Sequence, residues 1–107
     1  MKSFSMEFFQ HNGINYQDII FCCADRCYTF LFLTNDRKKI LSKNIKHVEI
    51  HLPLTTFYRC HKSYLVNRIY IIKIDANKKE IILSCNKRIP ISTRKLLGTL
   101  CWFYQLS

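Results

Sequence analysis

The stretch FYRCHKSYLVNRIYIIKID, residues 57 to 75, opens with the aromatic and apolar residues of a buried strand and closes with an isoleucine-rich one. Between them stand Arg59, His61, Lys62, Asn67 and Arg68, where a purely structural strand would keep apolar alternation. If residues 59 to 64 stayed extended, Arg59, His61 and Ser63 would share one face and Cys60, Lys62 and Tyr64 the other. At least one face would then press unpaired polar groups against a core, so the chain must leave the sheet near here. In that turn His61 and Ser63 are expected to satisfy backbone groups, with Arg59 beside them. Lys62, a donor-only cation on a strand-end loop, is placed for a phosphate or base contact, and Arg59 is expected with it among the binding residues.

Outward from this stretch the pattern is mostly β. Strands are expected near 56 to 60, 69 to 75, 79 to 84 and 88 to 91, with turns at DANK and CNKR. Upstream, CYTFLFLT (27 to 34), NDRKK and ILS read as one hairpin. FSMEFFQH and INYQDIIF flank Asn12-Gly13, the strongest short hairpin signal, so the chain is expected to begin as a hairpin too. NIKHVEIHL (44 to 52) carries Ile45, Val48 and Leu52 at spacings of three and four. It predicts a short helix capped by Asn44 and stopped before Pro53, the only helix expected in the first half. From Ser92 the period changes to 3.6. Leu96, Leu97, Leu100, Cys101, Phe103 and Tyr104 fall on one face of a C-terminal helix that Ser92 is placed to cap.

The chain has 107 residues, only 2 Gly and 2 Pro, and no repeat or linker, which predicts one domain over 1–107. Its 17 Lys and Arg outnumber 7 Asp and Glu, for a net charge of +10. Such an excess destabilises the compact state by self-repulsion and is explained most simply by an anionic partner, nucleic acid first. No apolar run is long and unbroken enough to serve as a signal or to span a bilayer, so a soluble, cytoplasmic protein is expected. The six cysteines show no Cys-x-x-Cys pair and no zinc-finger spacing, which predicts reduced thiols with no metal site and no disulfide. Cys60, beside Arg59 and Lys62, would have its thiolate favoured if exposed and would be an inert thiol if buried.

No paired carboxylates, nucleophile and base pair or glycine-rich phosphate loop appears, so neither enzymatic activity nor a cofactor is expected. Binding residues are a different matter. PISTRKLL (90 to 97) runs a strand into a helix whose first turn holds Arg94 and Lys95, cations that oppose the helix dipole. Their placement makes sense if an anion docks there. Backbone N–H groups, the hydroxyls of Ser92 and Thr93 and the Arg94 fork can bind a DNA phosphate, or Arg94 can reach a guanine edge bidentately. ADRCY (24 to 28) offers Arg26 and Tyr28 in a hairpin loop, a weak signal by itself.

FYRCHKSYLVNRIYIIKID followed by IILSCNKRIPISTRKL resembles the signature of the LytTR family of DNA-binding domains, found in bacterial transcription regulators of the response-regulator kind. The likeness runs from about Ile14 to Leu100. The resemblance implies a mainly β fold, an elongated antiparallel β-sandwich of short strands with one short internal helix and a C-terminal helix. It also implies that inter-strand loops, not a recognition helix, enter successive major grooves and bend the duplex. Carried over by residue, Lys62 matches the central loop, Arg94 the C-terminal arginine that reads the second groove, and the 26 to 28 loop the third contact. His61, Ser63 and Asn67 match positions that hold the loop and following turn in shape. Two departures stand out: the loop around Arg26 is shorter and lacks a histidine, and Lys62 stands where many members have Arg, which favours a phosphate contact. No receiver domain precedes the match, as expected of a free-standing regulator or of a fragment of a longer one.

The expected function is therefore sequence-specific binding of double-stranded DNA at paired repeats, with a second copy on the adjacent repeat and a regulatory protein as further partners. The rival from another class is an interaction module whose basic face docks an acidic protein. An RNA-binding β-domain ranks third, because the aromatics fall mainly on core-facing periods.

Overall fold

A computed structural model describes residues 6–105, and two antiparallel sheets organise them. The larger contains β1 (Ile19–Asp25), β2 (Tyr28–Leu33), β3 (Lys38–Leu41), β4 (Phe57–His61) and β5 (Tyr64–Asn67), in the order β3-β2-β1-β5-β4. The smaller contains β6 (Ile71–Asp75), β7 (Glu80–Leu83) and β8 (Arg88–Pro90) in chain order. Three helices, α1 (Met6–His11), α2 (Ile45–Glu49) and α3 (Leu96–Tyr104), complete the described residues together with short 3-10 turns. The chain is thus mainly β, as its pattern predicts.

Strand alternation gives the larger sheet two apolar faces. Cys22, Leu31, Leu33, Leu41, Phe57 and Leu65 pack on one side with Phe9 of α1 and Ile45 and Val48 of α2. Phe21, Cys60 and Val66 face the other way, onto Ile81, Leu83, Ile89 and Ile91 of the smaller sheet and its exit. Each such side chain contributes about 1.5–3 kcal/mol by leaving water. A bulge between Ile19 and Phe21 shifts the register of β1, which is how Ile20 and Phe21, adjacent in sequence, both face the second core.

The opening hairpin is not formed. Residues 4 and 5 lie outside the described residues, but Met6–His11 is helical, and only from Ile19 does INYQDIIF become a strand. Gly13 adopts φ 71°, and the Ile14 N–H donates to Phe9 O (2.8 Å) while the Gly13 N–H donates to Gln10 O (3.0 Å). That double bond is the Schellman ending of a helix, with Phe9 and Ile14 buried together as its apolar contact. A left-handed glycine serves a hairpin and a helix end equally; Phe9 and Ile14 at a spacing of five decide for the helix. The expectation of a single helix in the first half falls with it.

Two further differences concern the second half. RCHKSY does leave its strand, but through a two-residue turn at Lys62-Ser63 straight into β5, a strand missing from the expected set. In the last helix Ser92 makes no side-chain cap; Thr93–Lys95 form a 3-10 turn before α3 begins. The fully buried residue of α3 is Thr99, whose hydroxyl donates to Lys95 O (2.6 Å), while Leu97 is 73% exposed. Polar anchoring sets this rotation: Arg68 donates to the carbonyls of Trp102 and Phe103 at the helix end, and Trp102 Nε1 donates to Leu54 O. A cation over terminal carbonyls also complements the helix dipole. In contrast, α2 forms as expected, with Asn44 accepting the His47 N–H at 2.8 Å.

Asn67 turns the chain from one sheet to the other. It is fully buried; its Nδ2 donates to Ile19 O (2.8 Å) and its Oδ1 accepts from the Ile69 N–H (3.1 Å). Asn67→Ala is therefore expected to cost about 1–3 kcal/mol for the orphaned carbonyl alone. Gly13→Ala, whose new Cβ meets nothing within 4 Å, should cost only the left-handed penalty of about 1 kcal/mol. Urea unfolding of both variants checks the order.

Candidate nucleic-acid interface

Strand pairing brings the distant candidate loops to one rim of the larger sheet. Cys23 pairs with Tyr64, and the Ala24 N–H donates to Ser63 O at 2.8 Å, so the β1–β2 turn emerges beside the β4–β5 turn. On the other flank of β4, the Ser92 N–H donates to Cys60 O at 3.0 Å. The 92 to 95 segment is thereby fixed along the free edge of β4. The sequence order 26, 62, 94 becomes a spatial order across the rim.

Arg26 occupies the first position of the two-residue turn between Asp25 and Tyr28, with φ 59°, and both Arg26 and Tyr28 are exposed. A left-handed arginine costs roughly 1–2 kcal/mol relative to an ordinary conformation. Lys62 sits at the tip of the next turn, exposed, with its ammonium engaged by no group of the described protein. Arg94 is likewise exposed and unpaired in the third segment. Ser92 and Thr93 lead into it, and Lys95 lies over the Tyr58 ring at 5.5 Å.

Arg59, expected with Lys62 among the binding residues, is placed differently from its neighbours. Its side chain is only 20% exposed; it pairs with Glu49 at 2.8 Å and donates to the carbonyls of His61 (3.1 Å) and Lys62 (3.1 Å). The fork is spent inside the protein, tying α2 to the Lys62 turn. His61 closes the same turn, its Nδ1 accepting the Ser63 N–H at 3.1 Å. Glu49, Arg59, His61, Lys62 and residues 92 to 95 together line a groove of about 850 Å³ between the second and third segments. It is an open trough floored by one internal ion pair and bordered by unpaired cations, suited to a polyanion.

Two cations of this rim escape a reading of the sequence. Lys79 donates from Nζ to Thr93 Oγ1 at 3.0 Å, and its carbonyl accepts the Ile91 N–H at 2.8 Å. Lys43 follows β3 beside Thr29, whose hydroxyl donates to Lys43 O at 2.8 Å. The usable signal for Lys79 was the Lys78-Lys79 pair closing a hairpin whose partner strand leads to Ser92. Glu49 gave none, since only the fold carries α2 to Arg59.

Such a fold defines a mainly β domain of two antiparallel sheets whose inter-strand turns carry exposed cations along one rim. The chain belongs to the LytTr DNA-binding domain family, whose model matches residues 12–98. Among solved structures it is similar to the LytTr DNA-binding domain of a methyl-accepting/DNA response regulator from Bacillus cereus. That match has 24% identity and a TM-score of 0.68 over 79% of this chain and 85% of the other. No curated protein matches. Among the described residues no helix is long and apolar enough to cross a membrane.

The thiols divide sharply by burial. Burial pushes the Cys60 thiol up from 9.0 to about 12, outweighing the nearby Lys95 and Arg59, which pull it down. Cys60, fully buried with Sγ against Pro90 O at 3.6 Å, is therefore no thiolate, and the charge-favoured alternative for it is corrected. Burial also raises Cys22, whereas Cys27 and Cys85 are exposed. Iodoacetamide at pH 8 should label Cys27 and Cys85 in the native protein and reach Cys22 and Cys60 only on unfolding, as peptide mass mapping will show. Because the folded pKa of Cys60 lies above its ordinary value, its stability contribution is complete below pH 9 and lost as pH rises toward 12. Cys60→Ala should flatten that alkaline decline in a pH series of urea titrations.

Proposed function

We propose that this chain is a sequence-specific double-stranded DNA-binding domain of a cytoplasmic bacterial transcription regulator, acting at paired repeats. The observation that carries the reading is the convergence of three cation-bearing segments, 26 to 28, 62, and 92 to 95, on one rim. A duplex offers a phosphate about every 1.7 Å of axis, so a line of cations meets anions continuously while selected side chains reach base edges. In this reading Arg94 reads a guanine edge, Lys62 contacts phosphate, and Arg26 and Tyr28 approach the neighbouring groove. Ser92, Thr93 and Lys95 line the Arg94 side. Arg59, with His61, Ser63 and Asn67, shapes the presenting turns. A second copy on the adjacent repeat and a regulatory protein partner complete the proposal, with 1–107 acting as one domain.

Selection of bound duplexes from a random pool at near-physiological salt tests it directly. An enriched repeat is expected; no enrichment would put docking to an acidic protein ahead. On the enriched duplex, Lys62→Ala should lower the salt slope by about one unit with little change in stability. Arg94→Ala should cost roughly 1–3 kcal/mol against the preferred sequence and much less against a scrambled one. Arg94→Lys should keep the attraction and lose most of the discrimination, because an ammonium cannot reproduce the guanidinium fork. Equal losses on both duplexes would assign Arg94 to the phosphate backbone and move specificity to the 26 to 28 turn or to DNA bending.

A further inference from the structure

The β6–β7 turn lies at the same end of the molecule as the three rim segments, although nothing in the rim's own sheet requires it. Glu80 pairs with Pro90 in the smaller sheet, so the turn that precedes Glu80 emerges beside the exit of β8 toward Ser92. Two hydrogen bonds then lock it there: the Ile91 N–H to Lys79 O at 2.8 Å, and Lys79 Nζ to Thr93 Oγ1 at 3.0 Å. Lys79 adopts φ 54°, a left-handed conformation that costs a lysine and that glycine would adopt freely. Lys78 is exposed at the turn's surface, and its N–H donates to Asp75 Oδ1 at 3.0 Å, a bond that pins the turn and leaves the ammonium unengaged among the described residues. Among the described residues the Lys79 ammonium bonds only to a neutral hydroxyl, and the adjacent Glu80 is taken by Arg88 at 3.3 Å.

We infer that Lys78 and Lys79 form a fourth phosphate-contacting segment, extending the rim outward beyond Arg94 onto the flanking backbone of the duplex. This rests on the DNA-binding reading above and lengthens its footprint. Two adjacent ammonium groups beside a guanidinium outnumber Asp75, the nearby carboxylate not paired as Glu80 is with Arg88, and leave a surplus of positive charge. An ammonium acts on phosphate as a point charge, so the segment adds affinity and register and no sequence discrimination. Thr93, shared with the Arg94 turn, makes the two segments one continuous surface.

The test uses the duplex enriched by selection and the same duplex shortened by about half a helical turn on the Arg94 flank. Lys78→Ala and Lys79→Gly are measured on both across a salt series, with thermal unfolding alongside. Each variant is expected to bind the long duplex several-fold more weakly, with a salt slope lower by about one unit. On the shortened duplex the variants and the parent should bind alike. Lys79→Gly should unfold at or above the parent's temperature, because glycine relieves the left-handed position, so weaker binding could not be blamed on the fold. A Lys79→Gly loss with an unchanged salt slope would make Lys79 a prop for Thr93 and overturn the contact. Variants equal to the parent on the long duplex, with Arg94→Ala still impaired, would overturn the fourth segment and leave the DNA-binding reading standing. If Arg94→Ala and Lys62→Ala bind as the parent does, the DNA-binding reading itself falls.

Discussion

Strand β4 lies at the edge of the five-stranded sheet, and an edge strand exposes backbone groups that must be covered or will recruit another chain. Here the cover is the segment that leaves β8: the Ser92 N–H donates to Cys60 O, and Cys60 Sγ rests against Pro90 O. The join closes one side of the core between the sheets, where Cys60 is fully buried among Val66, Ile89 and Ile91. It also fixes where Arg94 stands relative to Lys62. Cover for an edge and alignment of two rim segments are thus one constraint, and Cys60 serves it as a small apolar residue, not as a reactive thiol.

The charge of +10 is divided between two employments. Arg59 and Arg68, both in the stretch of residues 57 to 75, are consumed internally, the first on Glu49 and the Lys62 turn, the second on the carbonyls that end α3. A guanidinium suits such work because its fixed fork satisfies several acceptors at once. Lys62, Arg94, Arg26 and Lys78 are exposed on the turns of the rim, while further exposed cations, among them Arg37, Lys38, Lys73 and Lys87, lie on other turns and on strands. Two neighbours on the same rim, Arg26 and Lys79, are held in left-handed backbone that an unconstrained fold would give to glycine or asparagine. Strain of this kind collects where presentation of a side chain is worth more than stability.

Much of this was legible in the sequence, and what was not has definite causes. The hairpins around NDRKK, DANK and CNKR and the helix after Asn44 follow from local turn and cap chemistry, which acts over four residues and is visible in the string. The Asn12-Gly13 signal misled because a left-handed glycine ends a helix as readily as it turns a hairpin; the deciding contact, Phe9 with Ile14, depends on a shared core. The rotation of α3 escaped for a related reason. A helix with no charged residue from Leu96 to Tyr104 offers periodicity little polar contrast to work with, so the polar bonds of Arg68 and Trp102 set its face. Lys62 and Arg94 could be singled out as misplaced cations, whereas the engagement of Arg59 by Glu49 needed the fold.

The position of Arg94 gains a sharper physical meaning once its surroundings are known. Were it inside the first turn of α3, its only peculiarity would be opposition to the helix dipole, a matter of about 0.3–1 kcal/mol that salt and solvent diminish. It stands instead in the 3-10 turn before that helix, directly after Ser92, whose N–H is anchored on β4, and Thr93, whose hydroxyl accepts from Lys79. The segment entering the turn is therefore fixed by two bonds to other parts of the fold, while the Arg94 side chain bonds to none of the described residues. A guanidinium on an immobile backbone loses less freedom on meeting a base edge than one on a free loop, and that saving goes directly into binding. A surface cation with no internal role thus follows directly on a backbone that the fold holds at two points, which sets this rim apart from either flat face of the sheets.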